Sequence, residues 1–166
     1  MQIGRQLSLF GVEAVPPSPA DLEGLLAGPG QVVRMGGTAR VSVVVDELWR
    51  ARALVAEFRL RGLAATCVPT VDDHLGVRTA YSTSLAPLGT AWLRGAVKVP
   101  PKGLFLDGRR LRLWTVAAGH PDARLTSASA GGSASAAGYI LRLGPSDEPS
   151  WDPVGAALAA VGLAGT

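Results

Sequence analysis

Apolar residues along this chain recur at two spacings, and these spacings divide residues 20–97 into alternating helices and hairpins. Two β-branched runs surround Gly36-Gly37, a pair that favours a tight hairpin turn. After Asp46, the residues Leu48, Ala51, Val55 and Phe58 form one helical stripe. The predicted elements in this region are a short helix opened by Asp21 and ended by the turn at 28–30, a hairpin over 31–45, a helix capped by Asp46 and ended by Gly62, a hairpin of the runs 64–71 and 76–82, and a helix over 83–97.

The same order starts again in the last third of the chain. The segment "GLFLDGRRLRLWTV" (103–116) contains Asp107-Gly108, and Leu111 and Leu113 alternate with arginines after it, so we predict a third hairpin. Further elements are a loop over 119–138, a strand over 139–144 and a helix capped by Asp152 with Pro153 at its first position. The sequence therefore predicts an α+β fold with antiparallel sheets and packed helices, built from two α-β-β-α-β-β units at about 20–83 and 84–166, the second of them incomplete.

The first sixteen residues are predicted to form a flexible tail ahead of a folded domain at 17–166. Pro16, Pro17 and Pro19 favour an extended chain before the first helix. The tail nevertheless carries the apolar segment "QLSLF" (6–10), and exposed apolar surface commonly marks a binding site. The alternative is an N-terminal strand whose leucines enter the core.

Composition and charge add a candidate partner. The chain has 166 residues, of which 48% are hydrophobic, so it can bury a sizeable core. The net charge is +3 and the sequence pI is near 9.6, with arginines in clusters, which points to a basic face and to nucleic acid. The alternative for a run of arginines is a solvated helix face. The predicted DNA-contacting residues are Arg34, Arg40, Arg78, Lys98, Arg109, Arg110, Arg112 and Arg142.

Few residues in this chain are suited to catalysis, and we predict no catalytic residue, metal or cofactor. Cys67 is the single cysteine and is predicted to be buried. With only two histidines elsewhere in the chain, the cysteine and histidines are too few to form a zinc site. Asp72, Asp73 and His74 lie side by side and are predicted to form a turn. No phosphate-binding glycine loop or nucleophile elbow occurs. No apolar run approaches the roughly 18 residues of a membrane span, so we predict a cytoplasmic, nucleoid-associated protein without a membrane partner.

The succession of elements resembles the LAGLIDADG homing-endonuclease fold, in which two such units pack through their motif helices and their sheets form a saddle over DNA. The segment "LEGLLAGPG" (22–30) is similar to the first motif helix. The segment "LGTAWLRGAV" (88–97) looks like the second, especially as it occurs in the homing-endonuclease-like domain of actinobacterial sporulation regulators. The resemblance covers about residues 20–166 and implies double-stranded DNA as a partner.

One departure from that family concerns cleavage. The family needs an acidic residue at the carboxyl end of each motif helix, where paired carboxylates hold a metal that activates water. This chain has Gly30 and Lys98 at the corresponding positions, so the resemblance implies a fold without nuclease activity. Two alternatives stay open: a nuclease that draws its acids from Asp46, Asp72, Asp73 or Asp107, and an adaptor protein without affinity for DNA.

The tail segment "QLSLF" resembles the pentapeptide by which bacterial proteins bind the replication sliding clamp, and all five positions agree. By that resemblance Leu9 and Phe10 enter the apolar cleft of the clamp and Leu7 fills a neighbouring subsite. Gln6 forms a hydrogen bond at the rim, and Ser8 is the small residue between the leucines. The sequence thus predicts a non-catalytic DNA-binding protein that is recruited to the clamp in DNA replication or repair.

Overall fold

A computed structural model describes residues 15–122, 138–144 and 147–163; the predicted clamp-binding residues 6–10 lie outside them. The α+β fold with antiparallel sheets and packed helices is confirmed. The helices are α1 (Glu23–Ala27), α2 (Leu48–Leu60), α3 (Ala86–Trp92), α4 (Gly108–Ala118) and α5 (Glu148–Ala160), with 3-10 helices at Pro19–Leu22 and Thr83–Leu85. The strands are β1 (Gln31–Met35), β2 (Thr38–Val45), β3 (Ala65–Pro69), β4 (Leu75–Thr79), β5 (Leu93–Arg94), β6 (Val97–Lys98), β7 (Gly119–Pro121) and β8 (Tyr139–Leu141).

The first two predicted hairpins are confirmed and form one four-stranded antiparallel sheet in the order β1-β2-β4-β3. Gly36, in the turn between β1 and β2, has a φ of 57°, a backbone conformation that glycine adopts without steric cost. Asp73 lies in the second turn with a φ of 57°, as aspartate can in tight turns. The predicted turn at residues 72–74 is therefore confirmed.

Within the part of the chain that the structure describes, helices pack against one face of this sheet only. Val32, Val41, Val43 and Val77 point to that face and are buried, whereas their neighbours along each strand point to the other side. The helix α2 was predicted, but its buried stripe differs from the expected one. Its core contacts are Ala51, Leu54 and Phe58, while the predicted stripe residue Leu48 is exposed.

The prediction of a third hairpin over residues 103–116 is wrong, because these residues lead into the helix α4. Asp107 does not form a strand turn; its carboxylate accepts a hydrogen bond from the backbone N–H of Arg110 at 2.9 Å and caps the helix. The buried positions Arg110, Leu113, Trp114 and Ala117 follow a helical spacing. The alternation of Leu111 and Leu113 therefore misled the prediction.

Helices α1 and α4 run parallel in close contact, and glycines make this possible. A Cβ on Gly24 would lie 2.0 Å from the carbonyl oxygen of Arg110, and one on Gly28 would lie 2.4 Å from Nε1 of Trp114. From the first contact to the second, the residues on both helices lie four positions further along the chain, so the two helices run in the same direction. Residues 22–30 thus contribute a paired helix as predicted, but their partner is α4.

The prediction of residues 88–97 as the second paired helix is wrong. Helix α3 ends at Trp92 and packs against β1 and β2, and the chain then forms the short hairpin β5-β6. Among the described residues, the order α1-β1-β2-α2 recurs as α4-β7-β8-α5, a series that starts at residue 108, whereas the second unit was predicted to start at about 84.

The C-terminal elements follow the prediction in part. A strand was predicted over residues 139–144, and β8 is found there, paired antiparallel with β7. Helix α5 begins at Glu148, earlier than predicted, so Asp147 is its N-cap and Pro153 lies inside it. In the part of the chain that the structure describes, no helix is both long and apolar enough to cross a membrane.

Candidate functional site

Two of the predicted DNA-contacting arginines lie together on the open face of the four-stranded sheet. The register pairs Ser42 with Arg78, and Arg40 lies two residues before Ser42 on the same face. The guanidinium of Arg40 stacks over the ring of Tyr81, with 4.9 Å between its central carbon and the ring centroid. Its Nε atom is buried and has no hydrogen-bond partner among the described residues. The stacking holds this guanidinium in place beside the open face.

The strand positions of the open face carry positive charge and no negative charge. Beyond the arginines the face presents hydroxyl and amide groups and four exposed aliphatic side chains. Its members on the four strands are Gln31, Val33, Met35, Thr38, Arg40, Ser42, Val44, Thr66, Val68, Gly76 and Arg78. None of these strand positions is acidic. An anionic partner would therefore meet no repelling carboxylate on this part of the sheet.

Two other predicted contacts are not part of this face. Arg34 lies on the helix-covered side, where its Cγ atom would be 2.7 Å from a Cβ on Gly89 of α3. Arg142 follows β8 and is exposed, in the C-terminal part of the fold. The structure therefore does not gather all the predicted arginines onto one face.

The three predicted arginines of residues 109–112 point toward other helices, because the segment is a helix and not a strand. Arg110 is buried, with its Nε 3.2 Å from Glu23 and its Nη1 2.8 Å from Asp107. Arg112 pairs with Glu57 at 2.8 Å. Arg109 donates to the carbonyl of Val15 and lies 3.9 Å from Asp21. Arg110 is thus a structural residue, and the charges of all three are matched by nearby carboxylates.

Lys98 was predicted to contact DNA, and this is wrong because its side chain is buried at the carboxyl end of α1. The ammonium donates hydrogen bonds to the carbonyl oxygens of Gly28 at 3.0 Å and Gly30 at 2.8 Å. It also forms an ion pair with Asp147 at 2.8 Å. Burial lowers the pKa of Lys98 below its usual value, and the nearby carboxylate of Asp147 offsets this only in part.

Arg50 occupies the equivalent place at the carboxyl end of α4. Its guanidinium donates to the carbonyl oxygens of Thr115 at 3.2 Å, Val116 at 2.9 Å and Gly119 at 2.6 Å. Its Nε lies 3.1 Å from a carboxylate oxygen of Asp46, and it stacks over Trp49. Both carboxyl ends of the helix pair therefore hold a buried cation that belongs to the chain itself, where the helix dipole is negative.

No protein-family model matches the sequence, and no curated protein matches it. A solved structure that it resembles is that of the homing endonuclease I-WcaI bound to its DNA recognition sequence. The two share 12% sequence identity with a TM-score of 0.47, over 67% of this chain and 56% of that chain. This chain thus spans little more than half the length of that neighbour.

The acids considered for an alternative nuclease do not converge in the described residues. Asp46 pairs with Arg50, Asp107 pairs with Arg110, and Asp72 and Asp73 lie in the turn between β3 and β4. Among residues 15–122, 138–144 and 147–163, no three histidine, cysteine or acidic side chains gather at a site that could hold a metal ion.

Sequence analysis missed Arg50 and Asp147 as members of the helix-end sites. One signal was available for Arg50, since Asp46 precedes it by four residues, the spacing of a helical ion pair. For Asp147 there was none, because its partner Lys98 is far away in the sequence. Asp147 also accepts a hydrogen bond from Gln31 at 3.5 Å and so links α5, β1 and the end of α1.

Proposed function

We propose that this protein binds double-stranded DNA without cleaving it, through the open face of its four-stranded sheet, and that residues 6–10 dock it on the replication clamp. The observation that carries the DNA-binding part is the position of Arg40 and Arg78 on a sheet face without acidic strand residues. We infer a role in DNA replication or repair.

The open face has the groups that a duplex requires. Guanidinium groups neutralise phosphates, and hydroxyl and amide side chains such as Ser42, Thr66 and Gln31 donate to phosphate oxygens or base edges. Arg40 is already held over Tyr81, so little side-chain freedom is lost when it makes a contact. Exposed aliphatic residues such as Val44 can pack against thymine methyl groups.

The buried cations at the helix ends support a non-catalytic role. A metal that activates water needs free oxygen ligands and an open coordination position. Here the ammonium of Lys98 takes the carbonyl oxygens of Gly28 and Gly30 and one carboxylate oxygen of Asp147. The guanidinium of Arg50 takes the carbonyl oxygens at the other end. A divalent cation would have to displace these charges before it could bind.

The DNA surface can be tested with Arg40→Ala combined with Arg78→Ala. We expect duplex affinity to fall at low salt, and the slope of log affinity against log salt concentration to decrease by about 2, one for each lost phosphate contact. Arg142→Ala combined with Arg112→Ala is the matched control, because it removes equal charge elsewhere. Equal losses in both variants would contradict a specific role for the sheet face.

The absence of cleavage can be tested with supercoiled plasmid DNA. The purified protein should leave it intact in the presence of magnesium or manganese while still retarding it in a gel. Metal-dependent nicking that persists in independently purified batches, and that is lost in an Asp147→Asn variant, would overturn the non-catalytic assignment.

The clamp interaction rests on the sequence of the tail. Leu9→Ala with Phe10→Ala should abolish binding to purified clamp while the melting temperature stays unchanged. If these residues belong to the core instead, each truncation should cost about 2–5 kcal/mol of stability. A synthetic peptide of residues 4–12 should compete with the protein for the clamp. If neither the protein nor the peptide binds the clamp, the clamp interaction is excluded, and the DNA-binding proposal is unaffected.

A further inference from the structure

The strand β3 lies at the edge of the four-stranded sheet and has no second strand partner among the described residues. Its hydrogen bonds to β4 fix which backbone groups are free. The N–H of Ala80 donates to Ala64 and the N–H of Thr70 donates to His74, so the even-numbered residues between them bond to β4. The N–H and C=O groups of Ala65 and Cys67 therefore point away from the sheet and can accept another strand.

An apolar groove of about 280 Å³ runs beside this edge, between β3 and α2. Ala51, Val55 and Ala56 of α2 line one side, and Cys67 of β3 lines the other. Cys67 is exposed, which corrects the prediction that it is buried. Because Cys67 pairs with the buried Val77, its side chain lies on the helix-covered side of the sheet, away from the proposed DNA surface.

Arg52 and Arg59 line the groove, two helical turns apart on α2. Both are exposed, and neither forms an ion pair or a hydrogen bond with a described residue. No carboxylate lines the groove. The groove therefore combines an apolar surface with a positive rim, and it lies next to a strand with unpaired backbone groups.

We propose that the β3 edge and the α2 groove bind an extended segment of a partner protein that combines aliphatic side chains with carboxylates. The segment adds a strand next to β3 through Ala65 and Cys67, so that every second side chain of the segment faces α2, and these positions carry both the aliphatic side chains that enter the groove and the carboxylates. The carboxylates pair with Arg52 and Arg59. Backbone pairing supplies general affinity, and the groove and the arginines supply the choice of partner. This surface is separate from the sheet face proposed for DNA.

The single cysteine gives a direct measurement in the 166-residue chain. The rate at which a thiol reagent modifies Cys67 is followed with and without a synthetic seven-residue peptide that has glutamate at positions 2 and 6, leucine at position 4 and threonine at the other positions, so that glutamate and leucine share one face of the added strand. We expect the bound peptide to slow modification by about tenfold at ten times its Kd. The same peptide with lysine in place of glutamate should give no protection, and equal protection by both would overturn the role of the arginines.

A charge exchange tests the rim more strictly. In an Arg52→Glu, Arg59→Glu variant, the glutamate peptide should lose its protection and the lysine peptide should gain it. Arg142→Glu is the matched control, since it changes an exposed arginine on another part of the fold and should behave as the unmodified chain. A glutamate peptide with N-methylated backbone amides should bind more weakly than its parent. Full binding by the methylated peptide would contradict strand addition.

The chain's own N-terminal segment is the competing occupant. If residues 6–10 cover the edge, Leu7→Asp with Leu9→Asp should accelerate Cys67 modification in the absence of any peptide, and the unmodified chain should not bind the glutamate peptide. That pair of results would overturn binding of a partner segment. An unchanged Cys67 rate together with peptide binding supports it.

Discussion

The backbone carbonyls at the carboxyl ends of α1 and α4 both accept hydrogen bonds from a buried cation, but the cation is a lysine at one end and an arginine at the other. At the end of α1, the ammonium of Lys98 is enclosed with the carboxylate of Asp147, and both are buried. At the end of α4, the guanidinium of Arg50 is buried, but its carboxylate partner Asp46 remains 45% exposed. Each cation satisfies backbone carbonyls that the helix leaves without partners.

The two helix ends should differ in how much stability the protein loses when the cation is removed. A lysine is a point charge that can release its proton, whereas an arginine keeps its charge and binds several carbonyls through a planar fork. Removal of Lys98 leaves a buried carboxylate without its counterion. Removal of Arg50 leaves Asp46, which solvent can stabilise. The α1 end should therefore be the more fragile and the more sensitive to pH.

The largest effect is expected for Lys98→Met. This change leaves the carboxylate of Asp147 buried without its counterion, and we expect it to lower the free energy of unfolding by about 3–5 kcal/mol in urea denaturation. Lys102→Met is the matched control, because Lys102 is exposed and near in sequence. A cost below about 1 kcal/mol would mean that Asp147 is solvated or protonated in the variant.

A smaller effect is expected for Arg50→Met. The variant loses hydrogen bonds from a charged donor to three carbonyls, and we expect a cost of about 1.5–3 kcal/mol by the same measurement. Arg52→Met, on the same helix but exposed, should be nearly neutral. If Arg50→Met costs more than Lys98→Met, the proposed ranking of the two ends is wrong.

The pH dependence should distinguish the ends further. The pKa of Lys98 is lowered in the folded protein from the usual 10.5, so in the window between the folded pKa and 10.5 the unfolded chain binds more protons. Stability contributed by Lys98 must then rise with pH through that window. We expect the stability difference between the unmodified chain and Lys98→Met to grow toward pH 10.5, while the difference for Arg50→Met stays constant. A difference that shrinks with rising pH would contradict the sign.

The smallest effect is expected for Asp46→Asn. Because Asp46 is 45% exposed, its ion pair with Arg50 is screened by water, and the melting temperature should reflect a loss of less than about 1 kcal/mol. Asp147→Asn is the informative contrast, since it leaves Lys98 buried without its counterion and should cost more. Equal effects would indicate that the two carboxylates have similar surroundings.

The sequence correctly predicted those helices and strands that are determined by residues close together in the chain. The β1-β2 hairpin followed from Gly36-Gly37 between β-branched runs, and α2 followed from its apolar spacing and its end at Gly62, although its N-cap is Glu47 and not the predicted Asp46. The segment at Asp107-Gly108 is ambiguous by the same rules, because aspartate starts helices as readily as it enters turns. The contacts of this segment with α1, such as the packing of Trp114 against Gly28, favour the helix. That contact joins distant parts of the chain.

The helix-end sites were predictable only in outline. The sequence indicated that Lys98 replaces an acid at a helix end and that Gly30 lies at another, and both residues do meet at the end of α1. It could not assign Lys98 to the right helix, because the lysine reaches that end through the β5-β6 hairpin. The open sheet face was predicted in part, since Arg40 and Arg78 share it and Arg34 does not.

The close packing of Gly24 against Arg110 also bears on the order of folding. The two residues are separated by about half the chain, so their contact closes a long loop, and such contacts form slowly because the loop must lose much of its freedom first. The hairpins and α2 can form from neighbouring residues before that closure. Docking of α4 onto α1 is therefore expected to be a late, rate-limiting step, and a nascent chain that ends before residue 108 would expose the glycine surface of α1.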